Sequence, residues 1–452
     1  MSNTTTNRYL SGAYAPIDKE YTAFDLEVTG SVPVELDGRF LRNGPNPLGH
    51  SDPATYHWFT GAGMVHGVRL RDGRAEWYRN RWIRSTSVSA ALGETAVPGL
   101  RHGRMEAANT NIVGIAGRTF AIIEAGGSPA ELTDELETVR YSDFDGTLPY
   151  GFGAHPKRDP RTDELHTVSY YWARPDVLDY SVTGPDGRVS HRVDVAVPGG
   201  PMVHDCAITE SSVLFYDLPV TFNLDMATGG GGFPYIWEEG RAARVGVLPL
   251  AGQPGDVQWF EVDPCYVFHT VNAHDEGDLV VVDVIRHDKM FDRNRLGPSE
   301  GPPALWRWSF DRSSGSVREE QLDDRVIEFP RVDERLVGRA HRFSWATGLG
   351  LDGVDVDFPG TSMVRYDAQT SDAEVIGFGA GRSAGELVFV PAGPGAAEDE
   401  GWYLTFVYDA TTDRSELVIL DASAPAEEPV ARVHLPTRVP LGFHGNWIPT
   451  GA

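Results

Sequence analysis

Cysteine is almost absent from this sequence: Cys206 and Cys265 are the only two in 452 residues. Two such residues cannot build a disulfide framework, and they lack the C-x-x-C spacing of zinc or redox work, so a reducing, cytoplasmic setting is expected. Positive charge is scarce too, with 39 Lys and Arg against 65 Asp and Glu and a formal charge of -26. A surface of that sign repels phosphate backbones and anionic headgroups, which argues against a nucleic-acid partner. Long apolar runs are missing. Stretches such as Leu279 to Val282 fall far short of the roughly 18 residues that a membrane span needs, and the polar start from Met1 to Asn7 predicts no leader. The expectation is no integral membrane segment and at most transient membrane contact; no protein partner is predicted. Amphipathic helical periodicity is also scarce, and Ser128 to Tyr141 is its best candidate.

What is present is turn-forming and strand-forming residues. Gly 50 and Pro 31 exceed the usual shares of about 7% and about 5%. The segments from Arg118, Gly277, Gly401 and Ser415 are short, rich in β-branched and aromatic residues, and bounded by Gly, Asp or Pro, which predicts strands. Hairpin signals lie between strands at Asp72-Gly73, at Pro185-Asp186-Gly187 and from Asp409 to Arg414. A chain that is 41% hydrophobic and 23% charged has ample material for a core. Many short strands without α/β alternation leave a sandwich, a barrel or a propeller, and this length suits a propeller of six to eight blades. The Gly-rich run Thr228 to Gly232 lacks the Lys-Ser/Thr of a phosphate cradle and reads as a mobile surface loop.

Histidine is the residue type with the most chemistry to offer. Ten of the 14 (His50, His57, His66, His102, His166, His191, His274, His287, His341 and His434) sit among polar or turn residues and read as solvated or structural. His155, His204, His269 and His444 each lie by or within a short apolar stretch near a Gly, Pro or Asp turn. Their separations of 49, 65 and 175 residues are not those of a local zinc motif, and four separately satisfied buried histidines explain them as well. In a propeller, however, the innermost strand of every blade can offer one side chain to a common axis. Cys206 and Cys265 stand at even offsets from His204 and His269 and read as small buried hydrophobes, with a thiolate ligand as the lesser alternative.

Eight segments carry a more specific signal: RFLRNGPNP from Arg39, HWFTGAGMVHG from His57, GAHPKRDP from Gly153, MVHDCAIT from Met202, WFEVDPCYVFHTVNAHDEGD from Trp259, EFPRVDERLVGR from Glu328, ELVFVP from Glu386 and GFHGNW from Gly442. In content and order they resemble the signature blocks of the carotenoid cleavage oxygenase family, over roughly residues 17 to 449. The resemblance implies one all-β domain over residues 1–452, with 1–16 as an N-terminal extension whose start is disordered. It implies a seven-bladed propeller under a dome of loops and short helices. On the axis it implies one non-haem Fe(II) held by His155, His204, His269 and His444, with O2 as co-substrate. It further implies that Glu124, Glu328 and Glu386 hold His204, His269 and His444 respectively, leaving His155 without a carboxylate, and that the Thr110 methyl restricts access to an open iron position.

Imidazole suits Fe(II), and four neutral ligands leave two octahedral positions open and the metal's charge uncompensated, which nearby carboxylates can balance. The reaction implied is Fe(II)- and O2-dependent cleavage of a conjugated carbon–carbon double bond to two carbonyl products. The substrate is a small apolar conjugated alkene, with Phe59, Ile123, Met202 and Phe268 as candidate pocket walls. Family members that cleave phenolic stilbenes carry Lys directly before the first glutamate. Ile123 stands there and cannot donate a hydrogen bond, so a carotenoid or apocarotenoid is favoured over a stilbenoid or phenylpropenoid. A non-catalytic propeller that binds an apolar ligand, and a retinoid-type isomerase, are the other readings. The chain departs from the family pattern at Thr60 and Ala62, where acidic residues are common, and at Thr270, where proline is common.

Overall fold

The computed structural model describes residues 7–102, 105–229, 232–352 and 355–451. Antiparallel meanders follow one another along the chain. The second is typical: Asn111–Ile115, Arg118–Ile122, Ala130–Leu132 and Thr138–Tyr141 pair in sequence order. Further meanders begin at the inner strands Lys157–Arg158, Cys206–Ile208, Tyr266–Glu276 and Ile327–Val332. Another runs from Arg382–Ala384 and Val388–Pro391 out to Ala431–His434, and joins the preceding meander through the pairing of Gly360 with Ala384. Together with the N-terminal sheet these are the seven blades of a propeller; the inner strands Lys157–Arg158, Cys206–Ile208, Tyr266–Glu276 and Ile327–Val332 touch in turn, as do Val388–Pro391, Gly445–Pro449 and Asn111–Ile115.

Both chain ends close the ring. Gly445–Pro449 from the C-terminus is the innermost strand of the N-terminal blade, paired with Gly38–Pro45. Val28–Gly30 from the N-terminus forms the outer edge of the last blade, paired with Ala431–His434. Opening the ring would break both ladders at once.

Burial explains the residue pattern within a blade. Leu279–His287 is buried at every position but the first, because neighbouring blades cover both of its faces. The outer strand Val317–Asp323, with sequence VREEQLD, is mostly exposed and carries acidic charge. Between the second and third strands of the fourth blade, the chain leaves the sheet to form the hairpin of Val220–Phe222 and Tyr235–Trp237 and the helix Leu224–Gly229. This hairpin and the 3-10 turn Trp58–Thr60 line the cavity at one end of the axis, and the N-terminal segment packs on Trp58. Tyr9 stacks on Trp58 with ring centres 5.2 Å apart, and Tyr14 meets the same ring edge-on at 5.3 Å.

Three sequence expectations need correction or completion. Ser128 to Tyr141 is not helical: it holds the strands Ala130–Leu132 and Thr138–Tyr141. Thr133 Oγ1 accepts from the amides of Glu135 and Glu137, and Leu136 has φ 71, so the intervening residues form a turn that buries Leu136 in the blade. Thr228 and Gly229 end a short helix rather than sit in a loop, and residues 230–231 of the Gly-rich run lie outside the described residues. So do residues 1–6 of the N-terminal extension. Among the described residues no helix is long and apolar enough to cross a membrane.

Candidate metal centre

Four inner strands bring four histidines to the axis. His155 and His204 each sit two residues before an inner strand, at Lys157–Arg158 and Cys206–Ile208; His269 lies within Tyr266–Glu276, and His444 directly precedes Gly445–Pro449. One ring nitrogen of each lies within 4.8 Å of the others. His155 Nε2 is 3.0 Å from His204 Nε2, and His269 Nε2 is 3.1 Å from His444 Nε2. With metal–nitrogen bonds of about 2.1 Å, adjacent ligands of an octahedral ion stand about 3.0 Å apart. Cys206 and Cys265 are free and buried and lie outside this group.

The three glutamates stand where the resemblance placed them. Glu124 Oε2 is 2.8 Å from His204 Nδ1, Glu386 Oε1 is 2.9 Å from His444 Nδ1, and Glu328 Oε2 accepts from His269 Nδ1. No carboxylate among the described residues pairs with His155. Donation of Nδ1–H to a carboxylate fixes the tautomer and leaves Nε2 as a bare lone pair. The facing Nε2 atoms of His269 and His444 are therefore two acceptors 3.1 Å apart. Such an arrangement is repulsive without a cation between them, and this donor set fits one divalent iron.

Burial sets the charge states. It holds His155 well below the usual imidazole range, helped by the neighbouring histidines, and brings His444 down to about 4 despite Glu386. Burial alone would raise the carboxyls of Glu328 and Glu386. Instead His269 and His287 hold Glu328 well below its ordinary range, and Arg331 with His444 holds Glu386 at about 2. His204 differs, because burial is outweighed by the Glu124 carboxylate, which holds its imidazole above the usual range. Neutral His155 and His444 and the ionised Glu328 and Glu386 are in the states that metal ligation requires.

Two of these partners escaped the sequence reading. His287, which reads as structural, places Nε2 3.0 Å from Glu328 Oε1. Arg331, within the EFPRVDERLVGR segment, places Nη1 3.2 Å from Glu386 Oε2. The only sequence signal for Arg331 was its place in that segment; His287 had none.

A cavity of about 140 Å³ lies over the histidines on the dome side. Phe59, Ile123 and Phe268 line it as expected, with Thr110, Glu124 and Glu328 at the metal end. Thr110 donates its hydroxyl to Asn109 Oδ1 at 3.2 Å. Met202 is not among the lining residues; it belongs to the core, where its carbonyl accepts from the Tyr266 hydroxyl at 3.4 Å. On the opposite side of the histidines, a polar channel of about 870 Å³ runs along the axis, bounded by His155, Lys157, Asp205 and Arg331. His269 and His444 border both spaces, so the histidine group forms the wall between them.

The model of the family described as Retinal pigment epithelial membrane protein matches residues 14–449. The chain is 45% identical to a carotenoid cleavage oxygenase of Mycobacterium tuberculosis, over 98% of each chain. Among solved structures it is similar to the lignostilbene dioxygenase of Pseudomonas brassicacearum, with a TM-score of 0.87 and 29% identity over 98% of each chain. It is similar too to a cobalt-substituted apocarotenoid oxygenase of Synechocystis, with a TM-score of 0.86 and 28% identity, covering 96% of this chain and 97% of that one.

Proposed function

The chain belongs to the carotenoid cleavage oxygenase family, and from that membership and its own site we propose that it is an Fe(II)-dependent dioxygenase that cleaves a conjugated C=C bond of a carotenoid or apocarotenoid. The observation that carries this reading is four mutually facing histidines, three of them braced by buried carboxylates, at the floor of an apolar cavity. His155, His204, His269 and His444 are the residues that would hold one iron per chain. Once bound, the iron supplies the O2-activating chemistry, and both oxygen atoms enter the product: one double bond and one O2 give two carbonyls.

The protein's own part is orientation and exclusion of water. Glu124, Glu328 and Glu386 fix the imidazole tautomers and supply three negative charges near the divalent ion. Thr110, with its hydroxyl committed to Asn109, lines the cavity and narrows access for water. Phe59, Ile123 and Phe268 give the polyene apolar walls beside the metal.

Phenolic alkenes are the second reading, favoured by the similarity to lignostilbene dioxygenase. Ile123, buried beside Glu124, offers a phenol no cation, and this supports the carotenoid reading. The two buried free cysteines support a cytoplasmic setting. The test is turnover of an apocarotenal under 18O2 with mass analysis of both products. Label in both carbonyls is expected, whereas products without O2-derived oxygen would contradict the dioxygenase reading.

A further inference from the structure

Directly after three of the four histidines, on the channel side of the site, the chain places a lysine, an aspartate and a threonine that share a single carboxylate. Lys157 lies two residues past His155, Asp205 one past His204 and Thr270 one past His269. Asp205 Oδ1 accepts from Lys157 Nζ at 2.8 Å and from the Cys206 amide at 2.7 Å. Its Oδ2 accepts from Lys157 Nζ at 3.1 Å and from the Thr270 amide at 2.8 Å. The Asp205 side chain is 1% exposed, so each oxygen is fully partnered away from water. The Thr270 hydroxyl is 2.6 Å from that of Tyr216, on the second strand of the fourth blade.

The fourth histidine has a matching tether. Asn446, two residues past His444, donates to the Ile112 carbonyl at 2.7 Å and accepts from Arg331 at 2.8 Å. Asn111 donates to the carbonyl of Ala154, the residue before His155, at 3.1 Å. Side chains thus cross-link inner strands of neighbouring blades beside the histidines, and Asp205 joins three consecutive blades.

Resting on the iron reading above, we infer that Asp205, held by Lys157 and the Thr270 amide, is a positioning residue that sets the separation of His155, His204 and His269 and thereby the affinity and geometry of the metal site. It touches neither metal nor substrate. A buried carboxylate with four hydrogen bonds has no freedom to shift, so the three strands carrying ligands cannot spread when the facing ring nitrogens repel one another in the metal-free state. The Thr270 contact needs a residue other than proline at position 270, because a proline there would have no amide to donate.

The test uses full-length chain stripped of metal and titrated anaerobically with Co(II), following binding and the cobalt absorption bands, with the thermal midpoint of the metal-free protein measured alongside. Asp205→Asn and Lys157→Met are expected to weaken cobalt affinity by about tenfold to a hundredfold, as loss of outer-sphere support does, and to shift the bands. Lys157→Arg should restore part of the affinity. If Asp205→Asn does not fold, Lys157→Met carries the test, since the carboxylate keeps both backbone donors. Folded variants with wild-type affinity and bands would overturn the inference, even if their thermal midpoint fell. A wild-type chain that binds no cobalt would contradict the iron reading itself and remove this inference with it.

Discussion

Glu328 serves two histidines at once: Oε2 accepts from His269 Nδ1, and Oε1 lies 3.0 Å from His287 Nε2. The Phe329 amide adds a third donor, 2.6 Å from Oε2. A glutamine keeps only one acceptor oxygen and turns an amide group toward one of the two imidazoles. Glu328→Gln is therefore expected to retain iron but to lose at least about tenfold in kcat. His287→Leu should move kcat in the same direction by less. Steady-state kinetics beside iron analysis reads both, and unchanged kcat in Glu328→Gln would remove the carboxylate from the account.

Arg331 is the only cation placed on Glu386 by an ion pair among the described residues, at 3.2 Å, and it also donates to the Gly445 carbonyl at 3.2 Å. Arg331→Met would leave a carboxylate that is 3% exposed without its counter-charge. Breaking a buried pair in this way costs about 3–5 kcal/mol. Urea denaturation of the metal-free protein should show a loss of that order, and a loss below about 1 kcal/mol would place the pair with ordinary surface bridges.

Acidification should destabilise the metal-free protein in two successive windows. His444 is held at about 4, against 6.5 in a free side chain. As pH falls between those values, the unfolded chain takes up a proton that the fold refuses, so stability falls. Glu386 is held at about 2, against 4.5. Its contribution is complete above pH 4.5 and is lost as pH drops toward 2. Both effects have the same sign, and the His204 imidazole, which Glu124 holds above its usual range, opposes them only above pH 6.5, so the urea midpoint should decline from pH 6.5 to pH 4. A midpoint that rises over that range would contradict burial of neutral imidazoles here.

Ile123→Lys tests the choice between substrate groups. Ile123 lines the cavity directly before Glu124 and is 3% exposed. A lysine there offers a charged donor to a phenol oxygen and disrupts an apolar wall. The variant should turn over an apocarotenal more slowly and lower the KM for 4-hydroxystilbene. Equal kinetics for both substrates before and after the change would show that this position does not choose between them.

Much of the site was legible because it is written in short segments. His155, His204, His269 and His444 each stand in a distinct block near a strand, and Glu124, Glu328 and Glu386 each flank apolar residues in segments of their own. The strands from Gly277, Gly401 and Ser415 were legible from β-branched runs closed by turn residues. What the pattern could not carry is contact between blades. His287 reaches Glu328 from a different meander, 41 residues away, and the Lys157 to Asp205 pair joins residues 48 apart. Met202 was misplaced because an apolar residue two positions from a ligand faces core or cavity according to local backbone geometry. Ser128 to Tyr141 misled because Leu132 and Leu136 stand four residues apart, as on a helix face, while the turn at Thr133 to Glu137 places both against one blade core.

The most direct measurement is purification without oxygen, reconstitution with Fe(II) and metal analysis, followed by oxygen uptake with an apocarotenal and a 4-hydroxystilbene side by side. About one iron per chain is expected, with uptake on the apocarotenal that disappears, together with the iron, in His269→Ala. Uptake on the stilbene alone would move the substrate to phenolic alkenes, and a chain that binds no iron, or a His269→Ala variant that keeps full iron and turnover, would contradict the four-histidine centre.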